Sequence, residues 1–103
     1  MTEAVAALAA LAQQTRLEIF RRLVRRGPEG LPAGRIAEAV GVPPATLSFH
    51  LAQLGHAQLV TSTRRGRSIL YAANYDTIRA LLSFLTACCC QDASLQPRRK
   101  KGR

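Results

Sequence analysis

The residues of this chain best suited to chemistry are three consecutive cysteines, Cys88, Cys89 and Cys90. Thiolates are soft donors, so the run suits thiophilic ions and does not suit Mg²⁺ or Ca²⁺. No His, Asp or second Cys group stands at the spacing of a structural zinc site, and no four-cysteine iron–sulfur pattern is present. A cysteine nucleophile would need a base, and both histidines, His50 and His56, belong to a helix with another predicted role. We therefore expect a thiol site and not an enzyme.

Helical geometry limits how these adjacent thiols act together. The cysteines fall in the segment 86–91, where the last predicted helix ends, and neighbouring helical positions diverge by about 100°. Ligation by three thiolates of one chain requires the helix to fray at Cys89 or Cys90. Otherwise two thiols bind, and the third is left out or is contributed across a dimer. A further alternative is that Cys88 is only a small buried apolar residue and the run has no function.

A second group of candidate residues consists of the arginines 64, 65 and 67, which surround Gly66. The segments 58–63 and 68–73 on either side are rich in β-branched, apolar and aromatic residues. They predict a β-hairpin with a four-residue loop, 64–67, in which the glycine supplies a positive φ. A hairpin tip with three arginines and no carboxylate suits contact with phosphates. A solvated charge run is the alternative.

The segment before the hairpin predicts two helices joined by a tight corner. Residues 31–40 form the first helix, which Gly41 can close in the left-handed conformation. The prolines of Val42–Pro44 force the corner, and a second helix follows over 45–55. Its buried face consists of Leu47, Leu51 and Leu54. A helix–turn–helix of this compactness presents its second helix to a DNA major groove, whereas the alternative is a helical corner inside an ordinary domain.

Three further helices complete the prediction. The first spans 3–13, the second begins at a capping box of Thr15 and Glu18 and runs to about Arg26, and the last follows 74–76, with Asp76 or Thr77 as its cap. The apolar stripe of the second helix consists of Leu17, Phe20, Leu23 and Val24. That of the last helix consists of Ile78, Leu81, Leu82 and Leu85, with Phe84 beside it.

The first and last helices are too apolar to lie in water, so we expect them to pair in an isologous homodimer. Double-stranded DNA as partner agrees with this expectation. One recognition helix covers little of a groove, whereas two of them about 34 Å apart read a pseudo-palindrome.

The bulk composition favours a polyanionic partner. The chain has 103 residues with 15 basic and 6 acidic side chains, a formal net charge of +9. We expect one DNA-binding and dimerisation domain over residues 1–91 and a disordered basic tail over 92–103. No apolar stretch reaches the roughly 18 residues that span a bilayer, and the segment 1–8 lacks the positive region of a signal peptide. We therefore expect no membrane association and a cytoplasmic location, where the cysteines stay reduced.

Several of these motifs together resemble the ArsR family of winged-helix repressors, over roughly residues 8–90. The segments that carry the resemblance are 12–20, 36–37 with 40–41, 44–54, and 60–71. The resemblance implies a mainly α fold with a small β-hairpin, a winged helix–turn–helix that is homodimeric through its first and last helices. It also implies a repressor that leaves its operator when an inducer binds.

The resemblance assigns roles to particular residues. The implied DNA contacts are Pro44, Ala45, Thr46, Ser48, Phe49 and His50 on the recognition helix and Arg64, Arg65 and Arg67 on the wing. The family's arsenic site at the start of the third helix is absent, because residues 32–34 hold no thiol. Thr77 and Arg79 stand where the family's zinc-type site on the last helix has Asp and His.

The run Cys88–Cys90 is similar to the arrangement of members that sense trivalent arsenic or antimony with cysteines at the end of the last helix. The expected inducer is therefore arsenite, a methylated arsenical or antimony bound at these thiols, with no organic cofactor. The first alternative is a thiol-redox sensor on the same scaffold. The second is a DNA-binding module that has no inducer.

Overall fold

The computed structural model describes residues 1–93, which form five helices and three strands. The helices are α1 (Thr2–Leu11), α2 (Gln14–Arg26), α3 (Ala33–Val40), α4 (Pro44–His56) and α5 (Tyr75–Thr86); the strands are β1 (Leu31–Pro32), β2 (Val60–Arg65) and β3 (Ser68–Ala73). The mainly α fold with a β-hairpin is confirmed. The predicted basic tail, 92–103, lies outside the described residues from position 94 onward.

The strands form one antiparallel sheet in the order β1-β3-β2. In the hairpin, Val60 pairs with Ala73 and Arg65 pairs with Ser68. The short strand β1 contradicts the prediction that Leu31 belongs to a helix, because Leu31 pairs with Tyr71 of β3. The proline that follows Leu31 disfavours helical backbone there, so an extended conformation is the local preference that β3 stabilises.

The predicted capping box at Thr15 and Glu18 is wrong. Helix α2 begins at Gln14, and the Oε1 atom of the preceding Gln13 accepts the backbone N–H of Arg16 at 2.8 Å. The longer Gln13 side chain therefore satisfies one of the free amides at the helix start. The Glu18 carboxylate instead accepts from the exposed guanidinium of Arg22.

The core lies where α2, α3, α4 and the sheet meet. Its fully buried side chains are Ile19, Leu23, Ile36, Leu47, Leu54 and Leu59. The predicted stripe of α2 is wrong at Leu17 and Val24, which are 42% and 39% exposed. Both lie about 100° around the helix from the centre of the face formed by Ile19, Phe20 and Leu23.

The predicted buried face of α4, with Leu47, Leu51 and Leu54, is confirmed. On α5 only Leu81 is buried within one chain, whereas Leu82 and Leu85 are 56% and 54% exposed. Within residues 1–93, none of the helices combines the length and the apolar character needed to cross a membrane.

Candidate DNA interface and thiol site

The corner between α3 and α4 is built by a glycine and two prolines. Gly41 takes the left-handed conformation at φ 72° and ψ 37°, and its N–H donates to the Ala37 carbonyl at 2.8 Å. Pro43 is extended and precedes α4, in which Pro44 occupies the first turn. There its missing N–H costs nothing, because the first helical amides have no partner within the helix. This local chemistry orients α4 across α3.

Helix α4 separates into a buried and an exposed face. The predicted contact residues Pro44, Ala45, Thr46, Ser48 and Phe49 are all exposed, whereas the leucines 47, 51 and 54 of the same helix are buried. Phe49 is 57% exposed, although it is a large apolar side chain. The structure thus brings five of the predicted residues together on one accessible surface.

His50 lies apart from that surface. His50 is buried, with 8% of its surface exposed. Its Nδ1 atom lies 3.4 Å from Nη1 of Arg16 on α2. Burial, with a smaller contribution from the Arg16 charge, holds the pKa of His50 below its usual value of 6.5. A neutral imidazole that faces α2 is placed to support the helix and not to reach a base.

Sequence reasoning missed Arg16. Its Nε–H donates to the Ala10 carbonyl at 2.8 Å, so the same guanidinium contacts the end of α1 and, through His50, helix α4. The signal that identifies it is helical phase. Arg16 falls on the same face of α2 as Ile19, Phe20 and Leu23, where a charged residue is unexpected.

The predicted wing is a hairpin with a shorter loop than expected. Strand β2 extends through Arg65, so only Gly66 and Arg67 form the loop, with Gly66 at φ 61°. The four-residue loop predicted for 64–67 is wrong by two residues because cross-strand pairing continues to Arg65 and Ser68. Arg64, Arg65 and Arg67 are exposed, and none of them pairs with a carboxylate within residues 1–93. Three free cations therefore stand at the tip.

The cysteines follow α5 and do not continue it. The helix ends at Thr86, whose Oγ1–H donates to the Leu82 carbonyl at 2.9 Å, and Ala87 is extended at ψ 136°. Cys88 and Cys90 have φ values of 62° and 64°, which helical residues do not adopt. The prediction that the last helix ends within 86–91 is confirmed, since α5 stops at Thr86 and turns follow it through the cysteine run.

All three thiols are exposed, which contradicts the alternative that Cys88 is a buried apolar residue. The Sγ atoms of Cys89 and Cys90 lie 3.4 Å apart. In the part of the chain that the structure describes, no three Cys, His, Asp or Glu side chains converge as a metal ion would require. The predicted triplet is therefore a close pair of thiols with Cys88 beside it.

Three comparisons with known proteins place this geometry among gene regulators. A family model described as a helix-turn-helix domain matches residues 11–63. The HTH-type transcriptional regulator NmtR of Mycobacterium tuberculosis is 44% identical over 70 residues, which cover 68% of this chain and 55% of that protein. The chain thus spans little more than half the length of that relative.

Solved structures give the same result over more of the chain. An ArsR-like transcriptional regulator from Rhodococcus sp. RHA1 superposes with a TM-score of 0.79 at 28% identity, covering 91% of this chain and 87% of the other. NolR from Sinorhizobium fredii has a TM-score of 0.67 at 31% identity, with 85% of each chain covered.

Proposed function

The chain belongs to the ArsR family of winged-helix transcriptional regulators, and from this premise we propose that it is a metalloid-responsive repressor. In this proposal a homodimer binds operator DNA and leaves it when trivalent arsenic or antimony binds the C-terminal cysteines. The observation that carries the proposal is the exposed thiol pair Cys89 and Cys90, with 3.4 Å between the sulfurs, placed directly after the last helix of a DNA-reading scaffold.

Two exposed surfaces support the DNA-binding part. The exposed residues 44–46, 48 and 49 of α4 present an accessible surface without any carboxylate, at the position of a recognition helix. The arginines of the wing, 64, 65 and 67, supply cations that contact phosphates and position the reader without sequence preference. His50 is not part of this proposal as a base contact, because its side chain is buried against Arg16.

The homodimer is proposed from the apolar surface of α1 and α5. Large apolar side chains on these two helices are exposed in the single chain: Val5, Leu8, Leu82, Phe84 and Leu85. A cavity of about 490 Å³ opens between the same helices, with Ala7, Leu81 and Phe84 among its walls. Several large exposed apolar side chains on two neighbouring helices are typical of an interface. A second copy of the same two helices would cover it.

A test of the dimer uses charge on the proposed interface. Leu85→Glu on α5 is expected to shift sedimentation from dimer to monomer, because it buries an unpaired carboxylate. Ser83→Glu, which adds the same single charge at an exposed position of the same helix, is the matched control and is expected to leave the dimer intact. A monomeric wild-type protein at micromolar concentration would contradict the dimer.

The inducer chemistry is a ligand exchange at arsenic. Each thiol loses its proton as an As–S bond forms, and the displaced hydroxide leaves with that proton as water. Two such exchanges at Cys89 and Cys90 leave one hydroxide, or one methyl group, on arsenic. A third thiolate comes from Cys88 after the turn rearranges, or from the second subunit. The metalloid needs to bind the DNA-free state better by only a few kcal/mol to shift occupancy strongly.

The test of this proposal is release of DNA by arsenite. A fluorescent duplex, selected by the protein from a randomised pool, is bound and titrated with arsenite and antimonite, and anisotropy reports release. Cys89→Ser and Cys90→Ser are each expected to abolish release, with DNA affinity unchanged. Ser83→Ala, on the exposed surface of α5, is the control that keeps it. Release that persists in the triple Cys→Ser variant would refute the thiols as the sensor.

The same 3.4 Å contact favours a second candidate function, thiol-redox sensing. Peroxide would take two electrons and two protons from Cys89 and Cys90, forming a vicinal disulfide and two molecules of water. A mass decrease of two hydrogens together with DNA release by peroxide, reversal by dithiothreitol and no response to arsenite would select this function. Indifference to arsenite, antimonite and oxidants would select a regulator without an inducer at these thiols.

A further inference from the structure

The exposed face of α4 carries a line of side chains that is mostly apolar. Ala45, Phe49, Ala52 and His56 follow one another at spacings of four, three and four residues, which places them along one side of the helix. All four are exposed. The first three have purely apolar side chains, and Thr46 adds a methyl group beside them. We call Ala45, Thr46, Phe49 and Ala52 the apolar reading surface.

Helix α4 lacks the side chains that most often read guanine and adenine. From Pro44 to His56 it contains no Arg, Lys, Asn, Asp or Glu. Guanine is typically read by Arg or Lys through two hydrogen bonds, and adenine by Asn or Gln. The one amide on the helix, Gln53, is half-buried and lies one turn after Phe49. The exposed positions of α4 thus carry none of these four side chains, so we do not expect bidentate readout of a purine to be the main means by which this surface discriminates among sequences.

The apolar feature that a major groove offers is the methyl group of thymine, which Ala, Thr and Phe side chains contact. We infer that α4 recognises thymine methyl groups, with Phe49 as the principal specificity-determining residue and Ala45 and Thr46 beside it. This inference rests on the proposed DNA binding. Charge favours DNA over a protein as the occupant of the surface, since the neighbouring wing carries Arg64, Arg65 and Arg67 without carboxylate partners in the described residues.

Phe49 is also held in place for such a contact. Its ring meets that of His50 edge to face, with 5.8 Å between the centroids and 62° between the planes. His50 in turn is buried against Arg16. An exposed aromatic ring that rests on a buried support loses less conformational freedom on binding than a free one, so its contact with a methyl group contributes more to affinity.

The experiment removes single methyl groups from the DNA. Duplexes selected by the protein from a randomised pool are resynthesised with deoxyuridine at each thymine in turn, which deletes the methyl group and keeps every hydrogen bond. At one or two thymines of each half-site we expect about a fourfold loss of affinity per methyl group. In Phe49→Ala the same replacements are expected to change affinity by less than about 1.5-fold at the thymine under the ring.

Phe49→Leu keeps an apolar side chain and is expected to retain part of the sensitivity to the methyl group. Because Phe49 is exposed, these variants are expected to fold, which circular dichroism checks. Selective binding that is insensitive to every deoxyuridine replacement would overturn the inference and leave the proposed repressor standing. Methyl sensitivity that is unchanged in Phe49→Ala would also overturn it. Failure of the pool to yield any preferred sequence would overturn the proposed function as well.

Discussion

Replacement of Arg16 by alanine tests whether this residue joins three helices. The Arg16 guanidinium donates from Nε to the Ala10 carbonyl at 2.8 Å, and its Nη1 lies 3.4 Å from the His50 ring. A hydrogen bond from a charged donor contributes about 1.5–3 kcal/mol, whereas the longer contact adds little. We therefore expect Arg16→Ala to lower the free energy of unfolding by about 2 kcal/mol.

Arg22→Ala is the matched control. Arg22 lies on the same helix and makes an exposed ion pair with Glu18 at 3.3 Å. The two substitutions change net charge and helix propensity equally, but an exposed pair of this spacing contributes only about 0.3–0.5 kcal/mol. The measurement is urea unfolding followed by circular dichroism at pH 8, with all proteins at one protomer concentration because dimerisation would add to apparent stability. Equal losses in the two variants would refute the reasoning about Arg16.

The pH dependence of stability tests the same contact independently. Burial, and secondarily Arg16, lower the pKa of His50 in the folded protein. As pH falls, His50 therefore becomes protonated at a higher pH in the unfolded chain than in the folded protein. This contribution to stability is therefore complete above about pH 6.5 and is lost as pH falls from there towards the folded pKa, with a slope of at most about 1.4 kcal/mol per pH unit.

His50→Gln is expected to remove this pH dependence, whereas His56→Gln, at an exposed position, is expected to keep it. Arg16→Ala is expected to reduce the slope without abolishing it, because burial is the larger cause of the shift. A wild-type protein as stable at pH 5.5 as at pH 8 would show that His50 is not the buried neutral group described above.

Three further predictions concern the wing, the recognition helix and the glycines. Arg65→Ala is expected to weaken binding to all DNA sequences alike and to reduce the slope of log K against log salt concentration by about one unit. Filter binding at several salt concentrations measures this slope, and an unchanged slope would show that Arg65 does not contact a phosphate. Ser48→Ala is expected to weaken a selected duplex more than random DNA in anisotropy titrations, and equal losses would argue against α4 as the reader. Gly30→Ala is expected to destabilise the fold by more than about 2 kcal/mol in urea unfolding, because φ is +76° and the new Cβ would lie 2.6 Å from the Tyr71 carbonyl oxygen. Gly34→Ala, in open space on α3, is the control and is expected to raise the free energy of unfolding by about 0.5–1 kcal/mol. A tolerated Gly30→Ala would contradict the close approach to β3.

The sequence predicts those elements whose conformation depends on residues close to one another along the chain. The corner before α4 follows from Gly41 and the two prolines, because their backbone preferences act within a few residues. The wing follows from two β-rich segments around Gly66, and the buried face of α4 follows from the helical spacing of its leucines. The arginines at the hairpin tip and the run of three cysteines can also be identified from sequence, because each consists of neighbouring residues in the chain.

Contacts between distant residues were decided by the tertiary structure alone. The pairing of Leu31 with Tyr71 converts the start of a predicted helix into a strand, and the contact between Arg16 and His50 joins residues 34 positions apart. His50, a predicted DNA contact, is buried in that contact, and its ring meets that of Phe49 edge to face. At the C-terminal end the change is local, because the turns that follow Thr86 bring the sulfurs of the neighbouring Cys89 and Cys90 to 3.4 Å. For the pairing of Leu31 and the contact of Arg16 with His50, the outcome depends on which groups packing leaves buried and must satisfy, and a local pattern of residue types does not contain that information.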